Sequence, residues 1–131
     1  MKFLKLTLIF CLASFALTIV ASEQRDGVNY LNAQEANRLL LDDSTIQVLD
    51  VRTAREFAEG HIADAINIDY YAEDFKEQVG MLDPSKTYLV HCRSGGRSAR
   101  SLEILKSAGM RKLVHLDGGM KAWVNGDYPV Q

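Results

Sequence analysis

Cys92 opens a segment whose residue types are suited to holding negative charge: His91-Cys92-Arg93-Ser94-Gly95-Gly96-Arg97-Ser98. The run before it, Thr87 to His91, is β-branched and aromatic and reads as a buried strand. The run after it, from about Ser98 to Ala108, reads as a helix with Ala99, Leu102, Leu105 and Ala108 on one face. Between them, Gly95 and Gly96 allow a tight turn that aims several backbone N–H groups inward. Such a ring of amides at a helix N-terminus is an anion-binding nest. Arg93 and Arg97 add positive potential, and Ser94 and Ser98 can donate hydroxyl hydrogen bonds. A thiol held there ionises below the free value of about 8.5. The thiolate is the nucleophile that chemistry at sulfur requires, and the same nest suits a persulfide or a small oxyanion. The alternative is a structural cysteine at a strand end. One Cys, two Gly and two Arg within six residues weigh against it.

The remaining chemistry-bearing side chains point to no second centre. His91 lies on the strand beside Cys92, so its side chain is expected on the opposite face. His61 is expected to cap or pack at a helix end, His115 is read as a strand residue, and Trp123 as core. These histidines and Cys92 lack metal-ligand spacing, so no metal or other cofactor is expected.

The elements that must position Cys92 follow from alternation of short apolar runs with capped, periodic segments. Val28 to Leu31 reads as a strand, and Asn32 to Glu35 has capping-box spacing for a helix to about Leu41. Ile46 to Val51 reads as a buried strand. Thr53 to Glu56 is a second capping box, with Gly60 closing that helix. Ala65 to Ile68 reads as a short strand and Asp69 to Val79 as a helix. Lys112 to Leu116 is a last strand, and Gly118-Gly119 leads into a helix that holds Trp123 and stops at Gly126. The alternation predicts an α/β domain with a mainly parallel sheet and helices on both faces. Ligands bind such sheets where strand C-termini meet helix N-termini, which is where Cys92 falls.

The first 21 residues read differently. Lys2 and Lys5 precede sixteen uncharged residues, Leu6 to Ala21, and a polar stretch begins at Ser22. This is the pattern of a secretory signal peptide, and the run falls short of the roughly 20 apolar residues that span a bilayer. The expected organisation is therefore a signal peptide over residues 1–21 and one domain over 22–131, exported and periplasmic. The membrane would be engaged only through the leader. The full chain of 131 residues has a formal charge of -2. Without the leader it has thirteen basic and seventeen acidic side chains, and Cys92 becomes its single thiol. With no basic stripe, nucleic acid is not an expected partner. A monomer is the default.

Three segments together resemble the rhodanese family. The first is the Cys92 loop. The second runs through Val48-Leu49-Asp50-Val51-Arg52, Glu56-Phe57, Gly60-His61-Ile62 and Ala65-Ile66-Asn67-Ile68. The third is Leu116-Asp117-Gly118-Gly119, Trp123, Gly126 and Tyr128-Pro129. The resemblance spans roughly Asn29 to Val130. It implies a five-stranded parallel sheet and transfer of sulfane sulfur through a persulfide on Cys92, without a cofactor. Thiosulfate or a similar anion would be the donor, and a thiol or cyanide the acceptor. It also implies a substrate cradle from Arg93, Ser94, Gly95, Gly96, Arg97 and Ser98. Asp50 and Arg52 match the family's acid and its neighbour near the site, and are expected to brace the loop by charge-assisted hydrogen bonds. Sulfur-transferring members have a six-residue loop. Related cell-cycle phosphatases have one residue more and carry Arg six positions after Cys, where this chain has Ser98. A sulfur-carrying or binding module with little turnover is the alternative function.

Overall fold

The computed structural model describes residues 22–131, so the expected leader lies outside the described residues. The strands are β1 (Glu23–Arg25), β2 (Val28–Leu31), β3 (Gln47–Asp50), β4 (Ile66–Asn67), β5 (Thr87–His91) and β6 (Lys112–Leu116). The helices are α1 (Ala33–Asp42), α2 (Ala54–Ala58), α3 (Phe75–Gly80), α4 (Gly96–Ser107) and α5 (Gly119–Asn125). They build one sheet in the order β1-β2-β6-β5-β3-β4. All neighbours run parallel except β1, which pairs antiparallel with β2.

Side-chain alternation divides the core in two. Leu49, Tyr88, Val90, Cys92 and Leu113 pack on one face of the sheet with Phe75 and Val79 of α3 and with Leu102 and Leu105 of α4. Val48, Leu89 and Leu116 pack on the other face with Ala33 and Ala36 of α1 and with Met120 and Trp123 of α5. Covering both faces explains why β3 and β5 read as nearly continuous apolar runs instead of alternating ones. Both expected capping boxes are formed. Asn32 accepts from Glu35 N at 2.8 Å while Glu35 accepts from Asn32 N at 2.9 Å, and Thr53 and Glu56 do the same for α2.

The α/β architecture is the expected one, but the sheet has six strands, not five. The added strand is β1, whose three residues are all exposed and carry no apolar pattern. Charged side chains suit a sheet edge, where they discourage pairing with another chain. The legible signal for it was Asp26-Gly27. Both residues adopt positive φ, 49° and 78°, as a two-residue hairpin turn requires. A second difference concerns the segment expected to be helical from Asp69. The helix begins only at Phe75, because the Asp69 carboxylate binds Tyr71 N at 2.9 Å and folds the chain into a turn. α4 begins at Gly96, two residues earlier than expected, with Gly95 at φ 116° supplying the left-handed step before it.

Candidate active site

The early start of α4 decides the geometry around Cys92. The strand delivers Cys92 at its C-terminal end, and the first turn of a twelve-residue helix follows within four residues. Its unpaired amides close over the sulfur. Gly95 N donates to Cys92 Sγ at 3.1 Å, and Ser98 Oγ lies 3.3 Å from the same atom. Cys92 is only 1% exposed, and burial alone would push its thiol up. The Ser98 hydroxyl and the amides of Ser98, Gly95 and Ser94 more than offset this, so the thiol titrates below its ordinary range. Hydrogen bonding to the charged form is thus the effect that wins.

The residues expected to form a cradle follow Cys92 with unequal exposure. Ser94 and Gly96 are exposed on the loop, Gly95 is half-buried and Ser98 is buried. Arg93 is exposed and borders an open cavity of about 410 Å³ with Arg52, Glu56, Met120 and Lys121. Arg97 is not free: its guanidinium forms a bidentate pair with Glu56 at 2.7 and 2.8 Å. The loop is tied from beneath by α5, where Met120 N donates to Cys92 O at 2.8 Å and Lys121 N to Arg93 O at 2.9 Å.

Asp50 and Arg52 do not brace the loop. Asp50 pairs with His91 in the sheet register, and a one-residue step along β5 puts Cys92 on the opposite face. The Asp50 carboxylate binds Arg52 at 2.7 Å, and Arg52 also donates to Gly60 O at 2.8 Å. Asn67 Nδ2 joins them by donating to Asp50 O and Arg52 O. This buried set holds the turn from β3 into α2, so its influence on Cys92 passes through the sheet. His91 faces away from Cys92 Sγ as expected. Its Nδ1 lies 3.0 Å from Cys92 O and its Nε2 lies 3.6 Å from Asp50. His61 packs face to face on Phe57, and Trp123 is buried, donating to Pro129 O.

Comparison with known proteins fits this geometry. The family model described as Rhodanese-like domain matches residues 32–126. The chain belongs to the rhodanese family. Thiosulfate sulfurtransferase 18 of Arabidopsis thaliana is 35% identical to it over 125 residues, covering 86% of this chain and 90% of that one. A sulfurtransferase of Allochromatium vinosum is 26% identical, with coverage of 79% and 94%. Among solved structures, a rhodanese-related protein from Thermoplasma volcanium superposes with a TM-score of 0.67 at 34% identity, covering 78% of this chain and 96% of that one.

Within this rhodanese, three side chains that sequence reading left out of the site belong beside it. Glu56 is legible in sequence as a helix cap and as part of the second family-like segment, and the structure makes it also the carboxylate that holds Arg97. Tyr71 was placed in a helix, but the Asp69 turn sets its ring 5.6 Å from the Arg97 guanidinium. His115 was read as a plain strand residue and lies 2.7 Å from Ser98 Oγ. Only the doubled role of Glu56 had a sequence signal, an acid at a cap position. The other two arise from contacts between distant segments.

The Glu56–Arg97 pair makes a measurable prediction. The Arg97 guanidinium holds the Glu56 carboxyl down at about 2, against an ordinary 4.5. A depressed carboxylate stabilises the fold fully above its unfolded pKa and loses that contribution as pH falls through its folded one. Glu56→Gln should therefore cost about 1–3 kcal/mol at neutral pH, since the pair is mostly buried. The gap from wild type should narrow between pH 4.5 and about 2. Urea unfolding of both proteins at neutral and acid pH checks this, and a gap independent of pH would contradict it.

Proposed function

We propose that this rhodanese is a sulfurtransferase that moves sulfane sulfur from thiosulfate or a similar donor to a thiol or cyanide through a persulfide on Cys92. The observation that carries the reading is the set of donors converging on one sulfur, Gly95 N at 3.1 Å and Ser98 Oγ at 3.3 Å. In the first step the Cys92 thiolate attacks the outer sulfur of thiosulfate. A new S–S bond forms, the old one breaks, and sulfite leaves with the bonding pair. In the second step the acceptor attacks the outer sulfur of the persulfide, and the Cys92 thiolate leaves. No electron is gained or lost overall, and no cofactor is needed.

The loop amides and Arg93 offer compensation for the anionic donor, while Arg97 acts mainly by shaping the loop through Glu56. With Cys92 only 1% exposed, the site favours donors that present a slim terminal sulfur. The other cysteine, Cys11, falls within the expected leader, so the accepting thiol is external to the mature chain. Export to the periplasm as a monomer is part of the reading. Export is supported by the leader pattern of residues 1–21, with Lys2 and Lys5 ahead of an uncharged run.

Mass spectrometry of purified protein incubated with thiosulfate tests the first step. A one-sulfur adduct on Cys92 with release of one equivalent of sulfite is expected. An unmodified Cys92 overturns the proposal. An adduct that forms but is not discharged by any thiol or cyanide favours the sulfur-carrier reading.

A further inference from the structure

We propose that His115 is a positioning residue for the reactive sulfur, fixing the Ser98 hydroxyl as a donor to Cys92 Sγ. This deepens the reading of Cys92 as an ionised nucleophile and rests on it. The Ser98 hydroxyl has one proton and three neighbours: Cys92 Sγ at 3.3 Å, Gly95 O at 3.1 Å and His115 Nε2 at 2.7 Å. Donation to Gly95 O, one turn back, would withdraw the proton from the sulfur. What the proton does therefore depends on what occupies the oxygen's lone pairs.

The surroundings of His115 set its tautomer. It is 1% exposed, and its Nδ1 is buried with no hydrogen-bond partner. A proton on Nδ1 would bury an unpaired donor, which is costly. The Nε2–H tautomer avoids this and donates to Ser98 Oγ. Ser98 then has its acceptor side engaged, and its own proton is turned to the sulfur. The chain of donation runs His115 Nε2–H to Ser98 O–H to Cys92 S⁻, each step reinforcing the next.

The sheet holds the imidazole in place for this role. His115 registers against Val90 of β5 and Tyr30 of β2, on the face that carries Cys92. The Tyr30 ring packs on the imidazole at 4.3 Å, and the Arg25 guanidinium covers Tyr30 at 4.5 Å. The β1–β2 hairpin thus closes the back of the site. Burial holds the His115 pKa down at about 4, so it stays neutral near pH 7 and acts through Ser98 without taking the thiol proton itself. The other charged or titratable groups around this pair are Arg25, Tyr30, His91, Arg97 and Asp117. None of them is altered in the variants below.

Thiolate ultraviolet absorbance against pH tests the inference, with Cys92→Ser as the reference to subtract. The readout needs no reagent to reach the buried sulfur and no sulfur transfer. Ser98→Ala and His115→Leu should each raise the Cys92 pKa by about one unit, a roughly tenfold loss of thiolate at pH values below both. The double variant should shift no further than Ser98→Ala alone, because His115 works through that hydroxyl. His115→Gln, whose amide N–H can reach Ser98 Oγ, should recover at least half of the shift. A Cys92 titration unmoved by His115→Leu, or additive shifts in the double variant, overturns the inference. Should His115→Leu not fold, His115→Gln shifting the titration as far as Ser98→Ala overturns it instead. A wild-type Cys92 that titrates no lower than a free thiol is a separate result, and sinks the ionised-nucleophile reading itself.

Discussion

Cys92→Ser should abolish thiocyanate formation from thiosulfate and cyanide, by at least about 10³-fold, while leaving the protein folded. The nest stabilises an anion, but a serine hydroxyl starts far less acidic than a thiol. The few donors at Cys92 Sγ cannot close that gap. An alkoxide would also have to form an S–O bond to sulfane sulfur, which gives no persulfide to pass on. Gly95 N and the Ser98 hydroxyl remain in place in the variant, so donor binding should survive and only the chemical step should fail. Serine is close in volume to cysteine, and thermal stability should fall by no more than the equivalent of about 1 kcal/mol. Steady-state thiocyanate release and a thermal melt on the same preparation separate the two effects. Equal rates in the two proteins would end the proposal that Cys92 carries the sulfur.

The loop was legible because every feature that gathers donors around Cys92 Sγ is local. A strand, a cysteine, two glycines and a helix N-terminus follow one another along ten residues, so spacing alone predicts amides around a sulfur. What spacing cannot supply is which charges neutralise each other. Arg97 is expected from sequence to add positive potential to the nest, yet its guanidinium is paired with Glu56, 41 residues away in the chain. Asp50 and Arg52 illustrate the same limit in another form. Their proximity to the site was correct, but sheet alternation sends the Asp50 carboxylate to the face that Cys92 does not occupy. Register, and not residue type, decides their partners.

β1 was missed for a different reason. An edge strand need bury nothing, and Glu23-Gln24-Arg25 are all exposed, so hydrophobic periodicity has nothing to report there. Its contribution is nevertheless felt at the centre of the molecule. Arg25 covers Tyr30, Tyr30 packs on His115, and His115 contacts the Ser98 hydroxyl that faces the sulfur. A strand invisible to apolar pattern thus closes one wall of the site, through contacts that link residues 25, 30, 98 and 115.

Gly119→Ala should impair both folding and sulfur transfer more than any other single methyl addition near the loop. Gly119 opens α5 with φ 56°, a left-handed conformation that costs an L-residue about 1–2 kcal/mol. A Cβ there would lie 2.5 Å from Cys92 O and 2.7 Å from Arg93 O. Both obstacles are backbone, so no side-chain rotation relieves them. The loop must lift, and lifting it breaks the bonds from Met120 N to Cys92 O and from Lys121 N to Arg93 O. Strain and overpacking together should cost about 2–5 kcal/mol, lowering Tm by roughly 10–20 °C for a domain of this size. The same displacement moves Cys92 relative to the amides of α4, so turnover should fall by at least about tenfold even well below the new Tm. The control is Gly27→Ala, where φ is 78° but a Cβ would meet nothing within 4 Å. That variant bears a comparable conformational cost without the clash, and should lose stability while keeping most of its turnover. If Gly119→Ala and Gly27→Ala prove equally active and equally stable, α5 does not hold the loop in the way its hydrogen bonds indicate.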